Sequence, residues 1–253
     1  MSKVKNFHKL FFVPTIVLII LASAFICFYQ AVKNRYISIN EWSLKSDSVR
    51  GVDISAYQVN VDMKQLKEQG IQFIYIKATE GRSHVDDYFS RNWANAKEAQ
   101  LSAGAYHFFN FESSGIEQAE HYISVVGEDL RGQLLPAVDV EVYYDNNNNP
   151  VTPNKDDLVR ELQAMLDRLE QQYGVKPIIY AQKDFYETYL KDFSAYPRWI
   201  RDVYVPANWK NGNDWLIWQY NDRGKLNGYS GGEKYIDLNV INSDKSLDDL
   251  RVK

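Results

Sequence analysis

From Gly51 onward the chain alternates short apolar runs with stretches of helical periodicity, and no other feature limits its fold so strongly. Residues 51–55, 72–78, 103–109, 134–141, 176–181, 198–201, 215–220 and 235–240 have strand character. The clearest helix begins after Pro153, with Asn154 as N-cap and Asp157 in its first turn. Leu158, Leu162, Met165, Leu166, Leu169 and Tyr173 recur on one face before Gly174 stops it. Residues 61–69, 86–100 and 115–128 read as further helices. Eight strands alternating with helices predict an α/β fold, an irregular (β/α)8 TIM-like barrel. The irregularity belongs to the last third, where only turns separate the strands, as at the hairpin-like 224–232.

Residues 10–32 carry no charged side chain; Lys3, Lys5, His8 and Lys9 precede them, and Lys33 and Arg35 follow. As a helix this run spans roughly 34 Å, against about 30 Å of hydrocarbon core. It predicts one N-terminal transmembrane helix, with residues 1–9 as a cytoplasmic tail, 33–49 as a polar linker and 50–253 facing outward. A cleaved signal leading to a secreted protein is the alternative, because Ala22-Ser23-Ala24 is an acceptable cleavage site. Against it, the apolar run continues through Phe25, Ile26, Cys27, Phe28 and Tyr29, where a signal normally turns polar. Cys27, the single cysteine, can form no intrachain disulfide and reads as a membrane-buried thiol.

The net charge of −4 divides into +4 for residues 1–49 and −8 for residues 50–253. An acidic domain has no electrostatic footprint for nucleic acid or anionic lipid, so the predicted membrane contact is the N-terminal helix alone. His84, His107 and His121 lack metal-ligand spacing, and neither metal nor cofactor is predicted.

In a barrel of this type the chemistry lies at the C-terminal ends of the strands, where Asp53, Asp139, Glu141 and Asp237 fall in this reading. An apolar strand such as 134–141 should not carry acids unless they are used or paired. With a period of two, Asp139 and Glu141 project from one face, roughly 6.5–7 Å apart at Cα. Neighbouring carboxyls oppose each other's ionisation, so one can stay protonated as a general acid while the other is charged. Glycoside hydrolysis needs that division of labour; an ion-pair cluster or metal site is the competing reading. Asp53 and Asp237 lie in the first and last strands, which are neighbours when a barrel closes. The chain has 18 Tyr and 6 Trp, enough for Tyr57, Tyr106, Tyr143, Tyr180, Trp218 and Tyr220 at strand ends to line a saccharide groove or to serve as core.

Seven stretches in order carry a family resemblance: GVDISAYQ from Gly51, FIYIKATEG from Phe73, GAYHF from Gly104, PAVDVE from Pro136, IIY from Ile178, WQY from Trp218 and IDLN from Ile236. Together they resemble glycoside hydrolase family 25, the lysozymes (N-acetylmuramidases) of bacterial and phage cell lysis. The resemblance covers nearly all of residues 50–253. It implies an irregular (β/α)8 barrel that hydrolyses the β-1,4 bond between N-acetylmuramic acid and N-acetylglucosamine in peptidoglycan glycan strands. It also implies that Glu141 is the general acid/base, Asp139 its acidic partner, and Asp53 and Asp237 the remaining acids of the floor. Lys77, Glu80, Tyr106, Tyr180 and Trp218 fall in motifs whose counterparts line the groove, and Tyr57 and Tyr220 join them as candidate substrate contacts. The family outcome is retention of configuration. An i,i+2 pair is wide for direct attack by the second carboxylate, so the substrate's own acetamido oxygen could attack instead, oriented by Asp139.

Two stretches depart from the family pattern. Residues 198–206 carry Arg198, Arg201 and Asp202 where a less charged run is usual, and the 143–150 loop contains four Asn. No wall-binding repeats follow the barrel before Lys253, which leaves wall localisation to the anchor. Two other functions compete: a non-catalytic glycan-binding domain on the same fold, and a hydrolase of another aminosugar polymer such as chitin.

Overall fold

The computed structural model describes residues 2–145, 147–207, 209 and 214–253, with side chains of the first helix from residue 12 on. Asn146 of the four-Asn tract and the side chains of Lys3, Lys5, His8 and Lys9 lie outside the described residues. Eight strands form the barrel: β1 (Arg50–Ile54), β2 (Ile71–Glu80), β3 (Ser102–Phe108), β4 (Ala137–Asp139), β5 (Ile178–Gln182), β6 (Arg198–Arg201), β7 (Ile217–Gly224) and β8 (Ile236–Ile241). Each pairs with the next, and β1 closes the circle by pairing with both β2 and β8. Strands β1 to β7 run parallel. Strand β8 is antiparallel to both neighbours, because residues 225–235 are too few for a crossover helix.

The main helices among the described residues are α1 (Ser2–Lys33), α2 (Met63–Glu68), α3 (Phe89–Glu98), α4 (Gly115–Val126) and α5 (Lys155–Tyr173). Helix α5 follows the sequence pattern closely: the Asn154 side chain accepts from the backbone N–H groups of Asp156 and Asp157, and Gly174 ends the helix at φ 69°. Its six apolar positions are all buried. Helix α4 crosses it with Gly115 against the Glu161 carbonyl, where an added Cβ would lie at 1.8 Å. Only hydrogen fits there.

Inside the barrel, alternate residues point inward. Phe73, Tyr75 and Trp199 plug the lower part, with the Tyr75 and Trp199 rings 4.8 Å apart. Gly104 leaves room for the Tyr75 ring, which a Cβ would approach to 2.4 Å, and the Tyr75 hydroxyl donates to the Leu135 carbonyl at 3.1 Å. This apolar plug forces polar inward residues into a layer above it, at the mouth. Outward residues such as Ile74, Ile76, Val138 and Ile179 join the main core.

Three sequence expectations need correction. The fourth strand is short: Pro136 has no N–H to donate, Leu134 makes only an isolated bridge to Arg251, and Glu141 lies beyond the strand end. Asp237 sits at the N-terminal end of its strand, which an antiparallel β8 brings to the same mouth. The 33–49 stretch is no free tether. Asn40 is fully buried and its amide donates to the carbonyls of Asp202 and Tyr220, each at 2.9 Å, while Leu44 packs against the buried cluster that contains Trp215, Trp218 and Tyr220. It covers part of the outer face of β7.

The N-terminal run forms a continuous helix, and Phe12–Lys33 is long and apolar enough to cross a membrane.

Candidate active site

Strand pairing brings the four acids to one place. Asp53 of β1 is opposite Asp237 of β8, near enough for their carboxyls to hydrogen-bond. Asp139 ends β4 and is 9% exposed, while Glu141, half-buried, follows two residues later. Both face one cleft at the barrel mouth, whose adjoining lobes measure about 580 and 420 Å³. Tyr57, Tyr106, Tyr143 and Tyr180 line both lobes.

Each acid is held differently. Asp53 Oδ2 accepts from Asn239 Nδ2 at 2.7 Å and Gln219 Nε2 at 3.0 Å. Those amides are themselves fixed: the Trp199 indole donates to Asn239 Oδ1 at 2.8 Å, and the Tyr180 hydroxyl to Gln219 Oε1 at 3.0 Å. Glu141 Oε2 accepts from Gln182 Nε2 at 3.2 Å. Asp139 Oδ1 is buried without a protein partner. A buried acceptor left open beside a cleft is ready for a donor on a ligand.

Burial dominates the titration of the cluster. Loss of hydration pushes Asp139 well above the usual carboxylate range, and the neighbouring Glu141 adds to it. Asp237 is likewise raised well above that range, by burial and then by Asp53. Burial also raises Asp53 and Glu141, while Asn239 and Gln219 hold Asp53 down and Gln182 and Arg201 hold Glu141 down. Lys77 and Arg201 are the cations that offset the cluster. Lys77 Nζ pairs with Glu80 at 2.7 Å and sits 4.8 Å from the Phe108 ring centroid.

Of the predicted contacts, Tyr57, Lys77, Glu80, Tyr106 and Tyr180 line the cleft. Tyr57 is 73% exposed at the rim, an open ring face. Trp218 and Tyr220 do not reach it. Period-two alternation along β7 aims Gln219 inward and sends its two aromatic neighbours outward, where they are 2% and 3% exposed and the Trp218 indole donates to the Asp202 carbonyl. The 143–150 loop does shape the cleft: Tyr143–Tyr144 pairs with Pro150–Val151, and the Tyr143 ring packs 5.1 Å from Phe111.

Gln219, Asn239, Gln182, Arg201 and Asp222 were missed as site residues. Gln219 and Asn239 share a detectable signal: each is a polar residue with apolar neighbours on both sides in its strand, whereas Arg201 is the last residue of β6. Asp222 and Gln182 lie at strand ends, where polarity is ordinary. His107 is the opposite case, buried facing outward between Thr79 at 2.8 Å and Gln118 at 3.0 Å, and burial pushes it down to about 3. It is a neutral structural side chain.

A barrel whose mouth gathers paired, burial-raised carboxyls in an aromatic-lined cleft is the arrangement of a glycosidase. Residues 52–229 match the model of the glycosyl hydrolases family 25, and the chain belongs to that family. YegX of Escherichia coli K12 is 34% identical over 203 residues, covering 78% of this chain and 71% of that protein. Lysozyme M1 of Streptomyces globisporus is 30% identical over 210 residues, 78% of this chain and 69% of its own. A family 25 glycosyl hydrolase structure from Bacillus anthracis superposes with TM-score 0.72 at 41% identity, covering 81% of this chain and 94% of that one.

Proposed function

We propose that the chain is a membrane-anchored N-acetylmuramidase that cleaves the β-1,4 bond between N-acetylmuramic acid and N-acetylglucosamine in peptidoglycan, with retention of configuration. The relatives named lysozyme and N,O-diacetylmuramidase support the substrate class. The observation that carries the reading is the Asp139–Glu141 pair, two burial-raised carboxyls opening into one cleft beside ring faces suited to sugars.

Glu141, less buried than Asp139, protonates the leaving glycosidic oxygen. Burial raises both carboxyls and the charge of one opposes ionisation of the other, so the pair tends to hold a proton between them. An acetamido N–H donating to the open Asp139 oxygen stabilises its charged form, which leaves the proton on Glu141 and orients the acetamido carbonyl for attack on the anomeric carbon. Asp139 then stabilises the oxazolinium-like charge, and Glu141 deprotonates the incoming water. Asp53, held by the Asn239 and Gln219 amides, and Asp237 beside it form the floor beneath the sugar. The helix 12–33 keeps this cleft on the outer side of the membrane, within reach of the wall.

The test is to supply the full chain in detergent with purified peptidoglycan, reduce the new ends with borohydride and identify the sugar. Reduced muramic acid is expected. Reduced glucosamine redirects the enzyme to another bond, and binding without new ends reduces it to a glycan-binding domain. An analogue lacking the acetamido group, cleaved at the normal rate, would rule out neighbouring-group attack.

A further inference from the structure

Asp222 stands where the barrel mouth meets the segment leaving the membrane helix. It lies near the end of β7, lines the larger lobe beside Arg201 and Asp237, and its side chain is 15% exposed. Its Oδ2 accepts from Arg201 Nη2 at 2.7 Å and also from Arg35 Nη1, so one carboxylate serves two guanidinium groups. Arg35 comes from only two residues beyond α1, outside the 52–229 family match.

Arg35 is held in place from several sides. Its backbone adopts φ 60°, its guanidinium lies 5.7 Å from the Tyr204 ring centroid, and the neighbouring Asn34 carbonyl accepts from Arg223 at 3.0 Å. Farther on, Asn221 donates to Glu41 at 2.8 Å and buried Asn40 locks the segment to two strands. Such a segment cannot swing freely.

We propose that Arg35 is a positioning residue of the active site: by neutralising Asp222 it leaves Arg201 available to the catalytic acids, making the juxtamembrane segment part of the catalytic unit. The groups facing Arg201 are Asp222, Tyr180, Glu141 and Asp237, and those facing Asp237 are Asp53, Asp222 and Arg201. Without Arg35, Asp222 is balanced by Arg201 alone, and the potential at all four acids becomes more negative. Each then holds its proton to higher pH. Removal of a signal after Ala24 would still leave Arg35 in the chain, so the arrangement survives either processing route.

The kinetic readout rests on the muramidase reading, and a second readout does not. In the full chain, Arg35→Gln should move both limbs of the pH–rate profile upward by about half a pH unit, which is about threefold in rate on the acidic limb, mainly in kcat. Arg35→Lys, which keeps the charge, should return the profile toward wild type. Carboxyl-carbon NMR titration of Asp237 in the same proteins follows the coupling without substrate, and should show the same upward displacement in Arg35→Gln. Superimposed titration curves, or a lower Tm with an unchanged pH profile, would overturn the proposal and leave Arg35 a purely structural contact. If wild-type protein cuts no glycan, the muramidase reading fails, and the NMR comparison still decides the role of Arg35.

Discussion

Replacing Asp139 by Asn should inactivate the enzyme and stabilise the fold at the same time. The carboxyl is 9% exposed, its Oδ1 has no protein partner, and Glu141 and Asp53 both repel its charge. An unsatisfied buried acceptor costs about 1–3 kcal/mol, and more when charged. Attraction by Lys77 and Arg201 offsets part of this, leaving a gain of about 1–2 kcal/mol for the neutral amide at pH 7. For a domain of this size that is a rise in Tm of about 2–8 °C. The sign also sets a pH dependence. Because the folded-state carboxyl is raised above its ordinary value, its protonated form favours folding fully only below that ordinary value, and the advantage is lost as pH rises through the folded value. The gap between Asp139→Asn and wild type should therefore be widest near neutrality and shrink toward about pH 4. Thermal unfolding of the full chain followed by circular dichroism across this range measures it. A variant less stable than wild type at pH 7, or a gap that does not change with pH, would refute the claim that Asp139 is a burial-raised acid.

Tyr57 and Trp218 should separate cleanly. Tyr57→Ala removes an exposed rim ring and should raise KM several-fold with little change in Tm. Trp218→Ala empties a packed site on the far face of β7 and should cost about 3–5 kcal/mol in stability, with KM of the remaining folded enzyme unchanged. Steady-state kinetics beside unfolding curves distinguish them. Asn40→Ala removes one donor from each of two carbonyls, of which that of Asp202 keeps the Trp218 indole, and should destabilise the full chain by about 1–3 kcal/mol, read by urea denaturation; no loss would mean that the 33–49 stretch does not dock in solution.

Much of this molecule could be read from local chemistry. Helix α5 announces itself because an N-cap Asn, a 3.6-residue apolar stripe and a terminal glycine all agree, and the barrel follows from repeated apolar runs. Asp139 stood out for a similar reason, as an acid in an apolar strand. Trp218 and Tyr220 were misplaced because β7 is buried on both faces. With apolar residues on either side, alternation alone does not tell which face is inward, and only Gln219 in its hydrogen-bond network settles the phase. The direction of β8 was hidden because strand patterns look the same in either direction, although the short 225–235 connection already argued for a hairpin. The docking of 33–49 was concealed by polarity itself. Asn40 looks like a linker residue, yet its two amide hydrogens match two carbonyls on the outer side of the barrel.

In the proposed mechanism Glu141 delivers the proton to the leaving oxygen. The most direct measurement compares Glu141→Gln with wild type on peptidoglycan and on an aryl glycoside whose leaving group departs without protonation. A loss of at least about 10²-fold on peptidoglycan is expected, with cleavage of the activated substrate largely retained. Equal losses on both substrates, or near-normal cleavage of the wall by the variant, would contradict it.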